Sequence, residues 1–294
     1  MNYIDAKKLI TTIKHPEGWF GSNYNMNIYR GCSHSCIYCD SRSTVYRVFD
    51  FEDVKVKRDV PLLLEEELRT KRKTGMVSLG AMSDPYNPQE ERLKLTRESF
   101  KLFNKYGFGV NVVTKSDLVV RDIDLLLNMN EHSRVIVLIT ITCASDELAL
   151  KLEPGAPSTS RRFEALRKLK EAGIFCGVAI MPILPFVNDD IENIKGLLEK
   201  ANEVGVDFIS ASFAVTMRDG QREYLYKKLD EHFPGVKERY IKLFGRDYGA
   251  PSPNREILWD YTARFCRENN IIFKMKEISK EAYNRVGNQQ LKLF

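Results

Sequence analysis

The stretch that decides the fold runs from residue 135 to residue 180. It opens with Val135-Ile136-Val137-Leu138-Ile139-Thr140-Ile141-Thr142, passes through SRRFEALRKLKEAGI (160–174) and closes on Phe175-Cys176-Gly177-Val178-Ala179-Ile180. The outer pieces are short apolar runs rich in Val and Ile, as strands buried on both faces are. Between them, Arg162, Ala165, Leu166, Leu169 and Ala172 recur at spacings of three and four, with Phe163 on the flank, which predicts an amphipathic helix. Gly173 then stands where helices commonly end. Strand, helix and strand in this order form a parallel pair joined by a right-handed crossover.

The same alternation extends in both directions. Further strands are predicted at 26–29, 76–79, 109–113 and 208–211, and further helices at 61–73, 92–105, 122–129 and 191–204. Six strands alternating with helices predict an α/β chain with a parallel sheet, and the length fits either a doubly wound sheet or a partial barrel. After about Thr216 the pattern changes: residues 217–270 look mainly helical, broken at Pro234-Gly235 and at 249–253, and 271–275 reads as one last short strand. The expected organisation is therefore an N-terminal segment (1–24), the α/β unit (25–215) and a mainly helical C-terminal extension (216–294).

The chain has 294 residues, 43% of them hydrophobic, which suffices for a sizeable core and excludes disorder and fibrous repeats. Lys and Arg number 45 against 40 Asp and Glu, a mild excess that permits an anionic partner without demanding one. No run of about 18 apolar residues occurs, so no membrane span is expected. Asp5, Lys7 and Lys8 interrupt the opening residues, unlike a secretory leader, so a cytoplasmic protein is expected. There are four histidines (His15, His34, His132 and His232), none of them in a nucleophile elbow, and no Walker-type loop is found.

Three of the six cysteines fall close together, as Cys32-x3-Cys36-x2-Cys39, while Cys143, Cys176 and Cys266 are scattered. Scattered free cysteines usually pack as small hydrophobes. A tight trio in a reducing compartment reads as a metal site. A structural zinc wants four ligands, and no second C-x2-C follows; His34 lies between the thiolates with poor reach. A cubane cluster normally takes four thiolates, so three leave one iron open to an exogenous ligand. The residues alone leave an open-cornered cluster, a zinc knuckle and packing cysteines as the readings.

The C-x3-C-x2-C spacing, with Tyr38 before the last cysteine, resembles the signature of the radical S-adenosylmethionine (SAM) superfamily. The resemblance implies a partial (β/α)6 TIM-like barrel, open on one side, in which Cys32, Cys36 and Cys39 hold a [4Fe–4S] cluster near the end of the first strand. It also implies that the remaining iron binds SAM and that an external flavodoxin- or ferredoxin-like donor reduces the cluster. Reductive cleavage of SAM would then yield a 5′-deoxyadenosyl radical that abstracts hydrogen. Ser83-Asp84 after the second strand, Thr114-Lys115 after the third, and Glu153-Pro154-Gly155…Arg162…Glu164-Ala165…Ala172-Gly173 after the fourth are similar to the spore photoproduct lyase-like (DNA repair photolyase-like) branch, over roughly residues 25–215. On that likeness Lys115 falls on the SAM-carboxylate lysine and Thr140 on a serine-type SAM contact. Ser83, Asp84, Arg162 and Tyr38 complete the expected cofactor site. The chain departs from the lyase in having Ala81 where the lyase carries its hydrogen-donating cysteine and Asp40 where it carries a tyrosine. Cys143 is the candidate replacement donor, with packing as its other reading.

The segment that follows the trio, DSRSTVYRVFDFEDVKVKRD (40–59), reads as a long loop at the mouth of the site. With Arg30 and Tyr29 it mixes cations and aromatics as nucleic-acid surfaces do, although Asp50, Glu52, Asp53 and Asp59 interleave. Met181–Pro185 (181–185) is a second loop expected to shape the pocket, or else to pack in the core. Three functions follow: a radical SAM enzyme on nucleic acid, lyase- or repair-like; the same chemistry on a peptide or small metabolite; or a non-catalytic zinc or iron–sulfur module.

Overall fold

A computed structural model of the protein describes residues 2–286. Six parallel strands lie side by side in chain order: Tyr24–Met26, Met76–Leu79, Gly109–Thr114, Val135–Thr140, Cys176–Ile180 and Phe208–Ala211. Ile10–Thr12 adds antiparallel to the first of them, and the sheet runs in simple chain order without closing on itself, which gives the open barrel that the resemblance implies rather than a doubly wound sheet.

Side chains alternate between the two faces along each strand. Val110, Val112, Val137, Ile139, Val178, Ile180 and Ile209 point outward and pack with Leu64, Phe100, Leu126, Leu166 and Leu197 of the surrounding helices. Met76, Ile136, Leu138, Ala179 and Phe208 form a separate inner cluster. Trp19 and Phe20, which precede the first strand, and Ile278 and Ala282 of helix Met275–Asn284 fill this inner space. Trp19, Phe20 and the last described helix thus plug one end of the barrel and leave the other free for a site. Among the described residues no helix is long and apolar enough to cross a membrane.

The structure moves several expected boundaries. The first strand stops at Met26, because Asn27 turns its side chain to accept from Met82 N at 3.2 Å. Tyr29–Arg30 pairs instead with Lys55–Lys57, which also pairs with Asn2–Ile4, in a small second sheet. The stretch 40–59 is therefore not a loop throughout: it holds two 3-10 turns, Asp40–Arg42 and Thr44–Tyr46, and then a strand. The helix expected over 92–105 splits into Gln89–Leu93 and Leu95–Lys105, with Lys94 left-handed between them. The cause is the buried Glu90 carboxylate, which draws in Thr96 N at 3.1 Å and Arg121 at 2.8 Å. The last expected strand is absent: Ile272 makes one bridge to Phe208, and the chain then turns into helix Met275–Asn284. The remaining shifts are small, as helix ends usually are.

The chain after Thr216 is mainly helical (Gln221–His232, Val236–Phe244, Arg255–Glu268), with one short antiparallel pair, Ala214–Thr216 with Gly249–Pro251. Leu225, Leu229, Tyr240 and Phe244 of this region share a buried cluster with Cys36, Ile37, Tyr38 and Cys143. The C-terminal helices therefore build their core directly on the cysteine loop.

Candidate active site

Inward-facing positions set the site. The inner series Ile136 and Leu138 continues to Thr140, and the series Asn111 and Val113 continues to Lys115. Both run out at the C-terminal ends of parallel strands, where barrels of this kind carry their chemistry. Cys32, Cys36 and Cys39 line one open cleft with Ser83, Asp84, Lys115 and Thr140, and with His34 and Ser41. Its empty volume is about 440 Å³.

The loop bearing the cysteines is held from several directions. Gly31 has φ +83°, and a Cβ there would stand 2.5 Å from the carbonyl of Phe51. Ile37 N donates to Leu152 O at 2.9 Å, and Gly155 N to His34 O at 3.0 Å. Gly155 packs so closely that a Cβ would lie 2.0 Å from Ser33 O. Gly155→Ala is therefore expected to push the cysteine loop aside, at about 1–3 kcal/mol of stability, and to lower the iron bound per chain. Iron analysis after anaerobic reconstitution, read beside an unfolding curve, checks this; wild-type values in both would refute it.

Asp84 is less available than the sequence implied. Its carboxylate accepts from Thr114 Oγ1 at 2.6 Å, Lys115 N at 2.8 Å and Tyr86 N at 2.9 Å, and it stands 3.2 Å from His34 Nδ1. The contact with His34 is one of charge rather than a well-aligned hydrogen bond. Burial opposes both charges, yet each partner outweighs it: His34 is held protonated and Asp84 ionised. Burial alone would likewise raise the Cys32 thiol, but the hydrogen bond and charge of His34 bring it below its ordinary value. Burial raises Cys36 and Cys39. Asp84 thus fixes His34 and the backbone of Lys115 from the wall of the cleft. Ser83 Oγ donates to Gly31 O at 2.5 Å and keeps its lone pairs for another donor.

Lys115 is half-buried with its Nζ 5.4 Å from the Tyr38 ring centroid, and among the described residues none accepts a hydrogen bond from that Nζ. Burial opposes its charge, but Cys36 and Glu153 outweigh that and keep it protonated. Two more expectations are corrected here. Arg162 does not reach the cleft: it is buried in an ion pair with Glu153, and donates to Pro157 O at 2.7 Å and Thr140 O at 3.0 Å. Tyr38 is also turned inward, its hydroxyl donating to Glu153. Cys143 has no exposed surface, does not line the cleft and packs against Thr142 Oγ1 at 3.7 Å and Asn188 Nδ2 at 3.8 Å. Cys176 and Cys266 are buried too, and the described cysteines are all free. Met181-Pro182 is a cis peptide, and Met181 packs against the inner barrel cluster.

The chemistry of the donor set discriminates between metals. Among the described residues no group of three or more His, Cys, Asp or Glu side chains closes tightly enough to hold a single ion. Three thiols in one cleft, with no other cysteine lining it, supply three of the four thiolates a cubane cluster takes and leave one iron open. The family model described as the Radical SAM superfamily matches residues 26–218. The chain belongs to the radical SAM superfamily.

Membership implies a [4Fe–4S] cluster and SAM, and the residues present fit both: three thiols, a free ammonium at Lys115, and hydroxyls at Ser83 and Thr140. An uncharacterized protein of Mycobacterium tuberculosis (strain ATCC 25618 / H37Rv) is 30% identical over 250 residues, covering 82% of this chain and 72% of that one. Another from Methanocaldococcus jannaschii is 35% identical over 197 residues, covering 66% and 71%. Among solved structures, spore photoproduct lyase complexed with dinucleoside spore photoproduct superposes with TM-score 0.65 at 16% identity, covering 92% of this chain and 81% of that one. The radical SAM methyltransferase TsrM of Kitasatospora setae, with tryptophan bound, gives TM-score 0.54 at 11% identity, covering 83% and 51%. At these identities the structures establish a shared fold.

The sequence reading missed Glu153 as the buried hub and the pairing of His34 with Asp84. The only signal for Glu153 was its place in the Glu-Pro-Gly stretch; for His34 there was none, since its partner lies fifty residues away along the chain.

Proposed function

We propose that this chain is a radical SAM enzyme that abstracts hydrogen from nucleic acid. The observation that carries the chemistry is the meeting of the three-thiol loop and the unpaired Lys115 ammonium in one cleft at the strand ends. Cys32, Cys36 and Cys39 hold the cluster, and the reduced cluster with SAM supplies a 5′-deoxyadenosyl radical. Lys115 receives the SAM carboxylate as a point charge, while Ser83 Oγ and Thr140 Oγ1 orient the amino-acid moiety. Asp84 holds the Lys115 backbone in place, and Tyr38 closes the cleft behind the thiols. An external flavodoxin- or ferredoxin-like protein delivers the electron. The reading suits the cytoplasm, where thiols stay reduced.

The rim supports a polyanionic substrate. Glu52 is engaged by Arg42, Asp40 by Arg218, and Asp53 accepts from Asn2, so part of the interleaved acid is already used. Arg30 stands opposite Lys55 on the outer face of the small sheet, with Lys57 on the same face and Arg47 beside it. Phe49 next to them is 76% exposed. Cations with an exposed aromatic suit phosphates and bases.

The test is label transfer. With deuterated DNA present, the reduced, reconstituted enzyme is expected to yield deuterium-labelled 5′-deoxyadenosine, and DNA binding is expected to weaken steeply with salt. Equal, unlabelled turnover with and without DNA would remove nucleic acid as the substrate and leave a peptide or small metabolite. No SAM cleavage at all would leave a non-catalytic module.

A further inference from the structure

Residues beyond the matched span reach back onto the cysteine loop. The family match ends at residue 218, and helix Gln221–His232 begins just after it. Gln221 is fully buried; its Nε2 donates to the Tyr38 carbonyl at 2.9 Å and to Thr216 Oγ1 at 3.0 Å. That carbonyl belongs to the peptide leading into Cys39, so one side chain of the extension fixes the backbone between the second and third sulfurs. Arg42 does the same two residues earlier, with Nε donating to Cys36 O at 3.3 Å.

The surroundings of Arg42 are unusual for a mere surface tie. Its guanidinium lies 3.7 Å from the Tyr224 ring centroid and 4.6 Å from that of Phe51, and it is ion-paired with Glu52. Its side chain is only 6% exposed. Burying an amide and a guanidinium costs free energy unless their donors are used, and here both donate to carbonyls of the loop. Further ties run the same way: Thr44 N donates to Asp219 O at 3.0 Å, and Arg218 pairs with Asp40 at 3.2 Å.

We propose that Gln221 and Arg42 are positioning residues. They fix the carbonyls of Tyr38 and Cys36, and thereby the separation of the Cys36 and Cys39 sulfurs and the backbone amides that face them. Hydrogen bonds to ligating sulfurs tune a cluster's potential, so the C-terminal extension acts on the electronic state of the site without touching it. This inference rests on the radical SAM reading of the loop.

The test uses the full chain, reconstituted anaerobically, in three variants. Gln221→Glu keeps the shape and removes the donor. Arg42→Lys keeps the charge and removes the planar fork that stacks between two rings. Leu126→Ala, on helix Ile123–Asn130 in the core outside the sheet and apart from the cysteine loop, is the control for destabilisation alone. Gln221→Glu and Arg42→Lys are expected to shift the electron paramagnetic resonance spectrum and midpoint potential of the reduced cluster. They are also expected to speed amide exchange at Cys39 and Arg42 about tenfold. Leu126→Ala should lower the unfolding midpoint and leave the spectrum, potential and those two amides as in wild type. Unchanged spectrum, potential and exchange in the first two variants, or equal changes in the control, would overturn the proposal. If either positioning variant fails to fold, the other carries the test. Wild-type protein that takes up no iron would overturn the underlying reading instead.

Discussion

Glu153→Ala is expected to destabilise the protein by about 3–5 kcal/mol, because it strands the buried Arg162 guanidinium without its counter-charge. Glu153 has no exposed surface and serves three partners: Arg162, the Tyr38 hydroxyl and Thr142 Oγ1 at 3.2 Å. It therefore joins the Glu-Pro-Gly turn to the cysteine loop. Burial works to raise its carboxyl, but Arg162 and Lys115 outweigh that and hold it below the ordinary value of 4.5. A carboxyl lower in the folded than in the unfolded chain adds stability above its unfolded value. That contribution fades as pH falls through the folded one. The stability gap between wild type and Glu153→Gln should accordingly be widest near neutral pH and shrink in acid. Chemical denaturation at pH 7 checks the magnitude, and a loss below about 1 kcal/mol in Glu153→Ala would show that the pair does not work this way.

Lys115→Met is expected to weaken SAM binding by about 2–4 kcal/mol, or roughly 30- to 1000-fold, while leaving iron content near wild type. Methionine keeps the length and apolar stem that lie over Tyr38 and removes only the ammonium. The cysteines do not depend on that charge for their placement, since the loop is held by backbone bonds to Leu152 and Gly155 and by Gln221. Calorimetric titration of the reconstituted protein with SAM separates the two quantities. Unaltered SAM affinity would remove Lys115 from the carboxylate, and lost iron would mean that it supports the loop instead.

The fold was legible where the pattern is local. Buried parallel strands are continuous apolar runs, and their helices repeat every three or four residues, so strands such as Phe208–Ala211 and helix Ile191–Val204 fall where the periodicity puts them. The small sheet was illegible because Lys55–Lys57 pairs with residues more than twenty positions away at one edge and more than fifty at the other. Helix Asp146–Leu152 was also missed, being two turns long and capped by Ser145 in a stretch that reads as loop.

Among the site residues, the same divide separates Lys115 from Arg162. Both are cations beyond strand ends, and the sequence treats them alike. Lys115 continues the inward series of its strand and opens on the cleft, whereas Arg162 sits on a helix that packs against the outside of the sheet and finds Glu153. Which cation stays free is decided by where a carboxylate lies in space.

By itself, then, the sequence determined the alternation of strands and helices, the three thiols and their family, because spacing and periodicity are properties of neighbouring residues. Tertiary structure alone decided which polar groups remain available. It tied Asp84 to His34, Arg162 and Tyr38 to Glu153, and the loop to Gln221. Those partners lie nine to nearly two hundred residues apart, and buried charges and donors must be matched by whatever the fold brings beside them.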